Sequence, residues 1–247
     1  MKPIVIIPTY NEIESLPRLV AQLRERKPEL DILVVDDHSP DGTGELADRL
    51  AADDEHLTVL HRTAKDGLAA AYIAGFKLAI ERGFTHLVQM DADGSHRPVD
   101  LERLLDRAGG VDRPDLVIGS RWMPGGEVVN WPKKREWLSR LGNLYNRLAL
   151  GLPQTDITAG FRVYRADKVA TLDLDAIKVA GYYWQTDMTE RAHRAGWRIV
   201  EVPIVFVERE LGDSKLSGAI FTESLRETTT RGLRHRASQV RRLLRRS

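Results

Sequence analysis

Residues 86–96 read HLVQMDADGSH: the apolar run His86–Met90 passes directly into Asp91-Ala92-Asp93, then Gly94 and a polar turn. A short continuous apolar run that ends in turn residues is the pattern of a strand buried on both faces. The same pattern recurs toward the N-terminus, in Leu57–His61, in Asp31–Asp36 (DILVVD) and in Pro3–Pro8. Between these strands lie helical patterns: one with Leu16, Leu19, Val20 and Leu23 on one face, then Thr43–Ala52, then the Ala-rich run Leu68–Arg82. Toward the C-terminus follow a helix from Pro98 to Ala108 and a strand at Asp115–Gly119. This alternation predicts an α/β fold, with a mainly parallel central sheet and helices on both faces. In such sheets ligands bind at the carboxyl ends of the strands, so the residues that end each strand become the candidates for function.

The second half is less regular. Trp122–Lys134, rich in Pro, Gly and Trp, reads as a loop. A helix at Glu136–Leu150, a turn at Gly151–Gly160, a strand at Phe161–Tyr164, a helix near Gln185–Ala195 and a strand at Trp197–Val207 follow. Leu216–Arg246 reads as helix, with Leu225, Leu233, Val240 and Leu244 near one face. The chain thus divides into a main unit, 1–217, and a basic amphipathic C-terminal helical segment, 218–247.

At 247 residues the chain is long enough to bury a sizeable core. Its net charge of +1 hides an asymmetry: from Arg231 to the end come seven arginines and no acidic residue. The chain has no cysteine, which excludes disulfides, thiolate metal sites and cysteine nucleophiles and suits a reducing compartment. The run Ile4-Val5-Ile6-Ile7 is too short for a signal peptide, and no stretch approaches the roughly 20 apolar residues of a membrane span. The expected location is cytoplasmic, with any membrane work done from the surface.

Three acidic clusters and an arginine end the strands: Pro8-Thr9-Tyr10-Asn11-Glu12, Asp36–Thr43, Asp91–His96 and Gly119-Ser120-Arg121. Carboxylates gathered on one rim repel one another unless a cation lies among them. Mg²⁺ or Mn²⁺ suits such a rim, since it takes one or two carboxylates plus substrate phosphate oxygens. Asp91 and Asp93, on one turn directly after an apolar strand, carry this expectation; Asp41 and Ser39 read instead as caps or solvated groups. Two other motifs fail on context. Gly42–Ala47 fits the dinucleotide pattern GxGxxG/A, but Asp36–Asp41 separate it from its strand, and no acidic ribose ligand follows. Val34-Val35-Asp36-Asp37 is like the acid pair of receiver domains, which would place that pair on the first strand.

Taken in order, IIPTYNE (Ile6–Glu12), VVDDHSPDGT (Val34–Thr43), DADGSH (Asp91–His96), GSR (Gly119–Arg121), DITAGFR (Asp156–Arg162), GYYWQTDM (Gly181–Met188) and ERELGDSK (Glu208–Lys215) resemble the family 2 glycosyltransferases of GT-A fold. More narrowly they resemble the dolichol- and polyprenol-phosphate mannose synthases. The resemblance covers residues 3 to 217, and its strength lies in the ordered set; D-x-D alone is a weak signal. It implies that 1–217 is a GT-A catalytic unit in which Pro8, Tyr10, Glu12, Val35 and Asp37 hold the donor nucleoside. Asp91, Ala92 and Asp93 would lie along the diphosphate, with Asp93 as metal ligand. Where the family often has Gln, this chain has Ser95, a shorter ligand acting directly or through water. Arg121, Arg209 and Lys215 would meet donor phosphates, and Arg135 with Ser139 match the acceptor-phosphate spacing Arg-x-x-x-Ser. Lys133, Lys134 and Arg140 stand close enough to leave that register open. Asp156 reads only as a cap of the following turn. Trp122, Trp131 and Trp137 read as packing or interfacial residues.

The activity so implied is transfer of mannose from GDP-mannose to a polyprenyl (dolichyl) monophosphate, with inversion and a divalent metal. A phosphate with a second pKa of about 6 is largely ionised near neutral pH and needs no strong general base. Arginines and the metal would stabilise charge on the departing diphosphate. The nearest alternative is glucose transfer from UDP-glucose on the same scaffold. A nucleic-acid-binding role for the Arg-rich tail leaves the acidic strand ends unexplained, and no nucleic acid is expected as partner. A basic amphipathic end suits peripheral attachment to the cytoplasmic face of an anionic membrane; the other possibility is a helix docked on the protein with its arginines solvated. Trp137, Leu138 and Leu141 are a second candidate for lipid contact.

Overall fold

The computed structural model describes residues 1–177, 183–208 and 226–233. The strands are β1 (Pro3–Thr9), β2 (Asp31–Asp36), β3 (Leu57–His61), β4 (His86–Gln89), β5 (Leu116–Ser120), β6 (Glu127–Val129), β7 (Arg162–Arg165), β8 (Ile199–Pro203) and β9 (Val205–Val207). The helices are α1 (Ser15–Arg26), α2 (Thr43–Ala52), α3 (Leu68–Glu81), α4 (Pro98–Ala108), α5 (Lys133–Leu150), α6 (Ala166–Val169) and α7 (Tyr183–Arg194). Seven strands form one sheet in the order β3-β2-β1-β4-β7-β5-β8, and β6 pairs with β9 in a small second sheet. Every pairing in the main sheet is parallel except those of β7, which runs antiparallel to both β4 and β5.

Strand alternation divides the core between the two faces. Ile4, Ile6, Leu33 and Val35 face one way and pack with Tyr72 and Phe76 of α3 and Trp184 and Met188 of α7. Val5, Ile7, Ile32 and Val34 face the other, against Leu16, Leu19 and Leu23 of α1 and Leu101, Leu104 and Leu105 of α4. This is the arrangement the continuous apolar strands require, since neither face of the sheet can meet water. α3 comes close to the sheet at Gly75, where an added Cβ would stand 2.6 Å from Ile6 and 3.1 Å from Val35.

Two expectations are corrected. Trp122–Lys134 is not all loop, because it contains β6 and the first two residues of α5. Nor is Trp197–Val207 one strand: it breaks at Ile204, and β8 and β9 belong to different sheets. Ile204 makes the switch by donating its N–H to Ser120 O (3.1 Å) and accepting from Glu127 N–H (3.0 Å). A strand pattern says that a segment is extended but not which partner it finds, and three-residue strands exist only through such long-range pairing.

The boundary expected at 217/218 lies outside the described residues, as does most of the expected C-terminal helix. The stretch 226–233 is helical and is fastened to the main unit. Arg231 pairs with the buried carboxylates Asp187 and Glu190 of α7. Thr228 Oγ1 donates to Asn146 Oδ1 of α5 at 2.8 Å, and the hydroxyls of Tyr145 and Thr229 bond at 2.6 Å. Of the two possibilities for the C-terminal segment, this stretch takes docking on the protein. No helix among the described residues is long and apolar enough to cross a membrane.

Gly75 and Gly142 give opposite tests of packing. Gly142, in the middle of α5, has nothing within 4 Å of an added Cβ. Gly75→Val is expected to cost about 1–3 kcal/mol through overpacking. Gly142→Ala is expected to gain about 0.5–1 kcal/mol through helix propensity. Thermal unfolding without ligand reads both signs, at about 2–4 °C per kcal/mol for a chain of this size.

Candidate active site

The chain builds β1, β2 and β3 outward in one direction, then places β4 on the other side of β1. Loops that leave β1 and β4 at their carboxyl ends therefore diverge and open a crevice between them. A cavity of about 390 Å³ occupies it. Pro8, Tyr10 and Glu12 reach it from the end of β1, Asp37 from β2, Asp91, Ala92, Asp93 and His96 from β4, and Arg121 from β5. Arg135 and Ser139 reach it from α5, Thr158 and Gly160 from the turn before β7, and Gln185 from α7. Ten residues singled out in the sequence thus line one space. Two others do not: the Val35 side chain is buried in the core beneath α3, and Ser95 is buried within the turn, outside the cavity lining. Arg209 and Lys215 lie outside the described residues.

The turn after β4 is held from several sides. Gly94 takes φ +76°, and Ser95 N–H donates to Asp93 Oδ1 at 3.0 Å. Tyr72 OH donates to Asp91 Oδ1 at 3.1 Å, and Asp91 N–H donates to His96 Nδ1, also at 3.1 Å. Burial lowers the imidazole of His96 from its ordinary value, so the ring is neutral with Nδ1 as acceptor and the proton on Nε2. That ring stacks on Phe161 at 4.8 Å. Burial, and then Asp91, pushes the Tyr72 hydroxyl well above the usual tyrosine value, which keeps it a donor. At the end of β2, Asp37 accepts from the Arg62 guanidinium and from Gly67 N–H (3.3 Å). Burial raises its carboxyl pKa even though Arg62 opposes the shift. Lys65 Nζ stands 3.5 Å over the Tyr10 ring.

Arg121 is a planar fork fixed in place. Its Nε donates to Asp156 Oδ2 (2.7 Å) and its Nη2 to Asp156 Oδ1 (2.8 Å) and Thr158 Oγ1 (2.9 Å). Asp156 is therefore not only a turn cap: it is the fully buried counter-ion of Arg121, which brings the 156–160 turn up against β5. Asp41, by contrast, behaves as a cap, bonding Thr43 N–H (3.0 Å) at the start of α2. On α5, Arg135 lies over Trp131 at 4.2 Å and pairs with Glu208. Among Arg135, Lys133, Lys134 and Arg140, Arg135 alone lines the cavity, and Arg140 turns to Glu136 and Trp122. The outward side of α5 is apolar and exposed, from Trp137 (66 %) and Leu138 through Leu141 and Leu144 to Leu148 (65 %).

Among the described residues no group of three or more His, Cys, Asp and Glu side chains converges as a metal cage. A cation shared with a diphosphate needs less than that. Asp91 and Asp93 supply hard oxygens to the cavity, whereas Ser95 Oγ, buried without a hydrogen-bond partner, stands outside its lining. This donor set fits Mg²⁺ or Mn²⁺ completed by phosphate oxygens. Tyr72, His96, Gly160 and Gln185 were given no individual role by the sequence. His96 and Gly160 lie inside quoted segments, but Tyr72 sits in an Ala-rich helix whose pattern marks it only as core.

Removing one member of a buried ion pair leaves the other charge uncompensated, at a cost of about 3–5 kcal/mol. Asp156→Ala is expected to lose stability in that range by urea denaturation, and to lose ligand binding with it because Arg121 is no longer held.

The sequence and the fold have counterparts. A protein of Micrococcus luteus named undecaprenyl-phosphate mannosyltransferase is 59 % identical over 233 residues, spanning 94 % of this chain and 95 % of its own. One from Mycolicibacterium smegmatis named polyprenol monophosphomannose synthase is 51 % identical over 246 residues, spanning 99 % and 92 %. The fold is similar to that of glucosyl-3-phosphoglycerate synthase from Mycobacterium tuberculosis, with TM-score 0.70 at 16 % identity over 93 % of this chain and 79 % of that one. It is also similar to that of the mannosyltransferase PcManGT from Pyrobaculum calidifontis, solved with GDP-Man and Mn²⁺, with TM-score 0.58 at 19 % identity over 86 % and 58 %. Residues 4–172, where the acidic strand ends and the Asp156–Arg162 turn lie, match glycosyl transferase family 2, and the chain belongs to that family.

Proposed function

We propose that this chain transfers mannose from GDP-mannose to a polyprenyl monophosphate, with inversion at the anomeric carbon. The carrying observation is that one cavity joins the acidic turn Asp91–Asp93 to the cationic face of α5, Arg135 with Ser139. A site for diphosphate and a site for a second phosphate thus share one space. The names of the relatives that span nearly the whole chain support the same donor sugar and acceptor class.

In this reading Tyr10, Glu12 and Asp37 hold the nucleoside, and Asp91 and Asp93 lie along the diphosphate. Asp93, with Ser95 beside it, would hold Mg²⁺ or Mn²⁺, which when bound supplies positive charge to the diphosphate. Arg121, kept rigid by Asp156, adds a preorganised cationic surface, and Arg209 and Lys215 would add to it over the donor. Arg135 and Ser139 orient the acceptor phosphate. One of its oxygens forms a bond to C1 of mannose as the bond from C1 to the diphosphate oxygen breaks, and the electron pair leaves with GDP. The nucleophile arrives already ionised, so positioning and electrostatics carry the rate.

The acceptor's hydrocarbon chain belongs in a bilayer. The exposed apolar side of α5 backs directly onto Arg135 and Ser139 and, together with the Arg-rich end of the chain, suits a peripheral seat on an anionic membrane surface.

Purified protein with GDP-mannose, Mn²⁺ or Mg²⁺ and a short polyprenyl phosphate is expected to form a mannolipid; preference for UDP-glucose in the same assay would favour the glucosyl alternative. Asp93→Asn is expected to lower kcat/KM by on the order of 10²–10³. The double change Leu141→Glu and Leu148→Glu is expected to reduce sedimentation with anionic liposomes while GDP-mannose affinity in solution stays unchanged; unaltered sedimentation would remove α5 from the membrane surface.

A further inference from the structure

Glycine in the interior of a helix calls for a reason, because it is less favourable there than alanine. Two reasons recur: a backbone angle closed to other residues, or a neighbour too near for a Cβ. Gly67 and Gly94 show the first, with φ of +90° and +76°. Gly75 of α3 and Gly232 show the second, with atoms 2.6 and 2.7 Å from an added Cβ. Gly142 has neither. It lies inside α5 without a positive φ, and among the described residues no atom stands within 4 Å of its added Cβ. The described fold makes no use of its missing side chain, yet Gly142 lines the cavity.

Its place on α5 shows where that opening leads. Residues three and four apart are neighbours on a helix surface. One turn before Gly142 stand Ser139, in the cavity, and Leu138, which lines the cavity and is also half exposed. Leu138 continues into the exposed apolar side at Leu141. One turn after Gly142 the same seam is closed by the stretch 226–233. The hydroxyls of Tyr145 and Thr229 bond at 2.6 Å, Asn146 accepts from Thr228 at 2.8 Å, and Gly232 packs on the backbone of Ala149. The step from Leu138 to Gly142 thus stays open among the described residues. It joins the Arg135–Ser139 part of the cavity to the apolar outside of α5.

We infer that Gly142 is a binding residue for the acceptor's hydrocarbon chain, which leaves the cavity through the notch between Leu138 and Gly142. This rests on the reading of Arg135 and Ser139 as the seat of the acceptor phosphate. A phosphate ester held there carries its chain on one oxygen, and that chain must reach apolar surroundings. Across Gly142 it meets helix backbone already hydrogen-bonded within α5, so no polar group loses a partner to it. A side chain at position 142 would stand in its way while leaving Asp91 and Asp93 untouched.

Gly142→Leu fills the notch with a good helix former, and Gly142→Ala adds a single carbon. A short polyprenyl phosphate dispersed in detergent removes membrane attachment from the comparison. Three quantities then decide: apo melting temperature, GDP-mannose affinity, and kcat/KM for the acceptor. For Gly142→Leu the melting temperature is expected to be unchanged or raised. GDP-mannose affinity is expected within about twofold of wild type, while kcat/KM for the polyprenyl phosphate falls by about tenfold or more. Gly142→Ala is expected to lie between Gly142→Leu and wild type, and carries the test by the same signs if the larger variant melts early. Acceptor use at the wild-type level, or donor affinity that falls in step with acceptor use, would overturn the passage while leaving mannosyl transfer standing. A wild type that forms no mannolipid from GDP-mannose overturns the acceptor-site reading and the Gly142 assignment together.

Discussion

Arg162 is fully buried, and its guanidinium meets carbonyl oxygens where a carboxylate might be expected: Nε bonds Ala159 O (2.7 Å), Nη2 bonds Ile157 O (2.8 Å) and Nη1 bonds Gln185 O (2.9 Å). A buried cation is tolerated only when its donors are satisfied, and here they are satisfied by backbone that must adopt one conformation to do so. The turn 157–160 and the start of α7 are thereby drawn onto the antiparallel strand β7, which is itself wedged between β4 and β5. Two segments that line the cavity thus inherit their positions from this one side chain. Asp156, on the same turn, then meets Arg121 at the end of β5, so a second buried arginine is placed by the consequences of the first.

The half built on β1–β4 obeys a simpler constraint. Strands buried on both faces alternate their side chains between two cores, and the reversal of strand order between β1 and β4 leaves a gap at their carboxyl ends that no packing rule fills. The D-x-D turn sits in this gap with its first carboxylate fixed by Tyr72 and its backbone fixed by His96. Rigid acidic groups on one side and the Arg135 face of α5 on the other define where charge can be placed. The chain segment 226–233 braces α5 and α7 through Arg231, Thr228 and Thr229, and so ties together two helices that line the cavity.

Much of this was legible beforehand. Asp31–Asp36, Leu57–His61, Thr43–Ala52 and Pro98–Ala108 stand where the sequence pattern places them, because a parallel strand covered on both sides has little choice of sequence and an amphipathic helix little choice of face. Segments whose structure depends on a distant partner were harder to read. Glu127–Val129 becomes a strand only because Val205–Val207 reaches it, and Ile204 leaves one sheet for another through bonds to Ser120 and Glu127 that no local pattern encodes. Val35 and Ser95 show the same limit at the site: motif position brought them in, and burial determines that the side chain of one belongs to the core and that of the other lies within the turn.

The sequence alone determined that carboxylates end the strands, that an arginine follows β5, and that an Arg-x-x-x-Ser pair lies on a later helix, since these follow from residue type and local period. It also carried the resemblance to family 2 glycosyltransferases, to which the chain belongs. Tertiary structure alone decided that Asp156 neutralises Arg121, that Tyr72 orients Asp91, and that Gly160 lies between the side chains of Asp91 and Gln185. The physical reason is that charge pairing and hydrogen bonding act over a few ångströms in space, between residues that here lie nineteen to thirty-five positions or more apart along the chain, where periodicity carries no information.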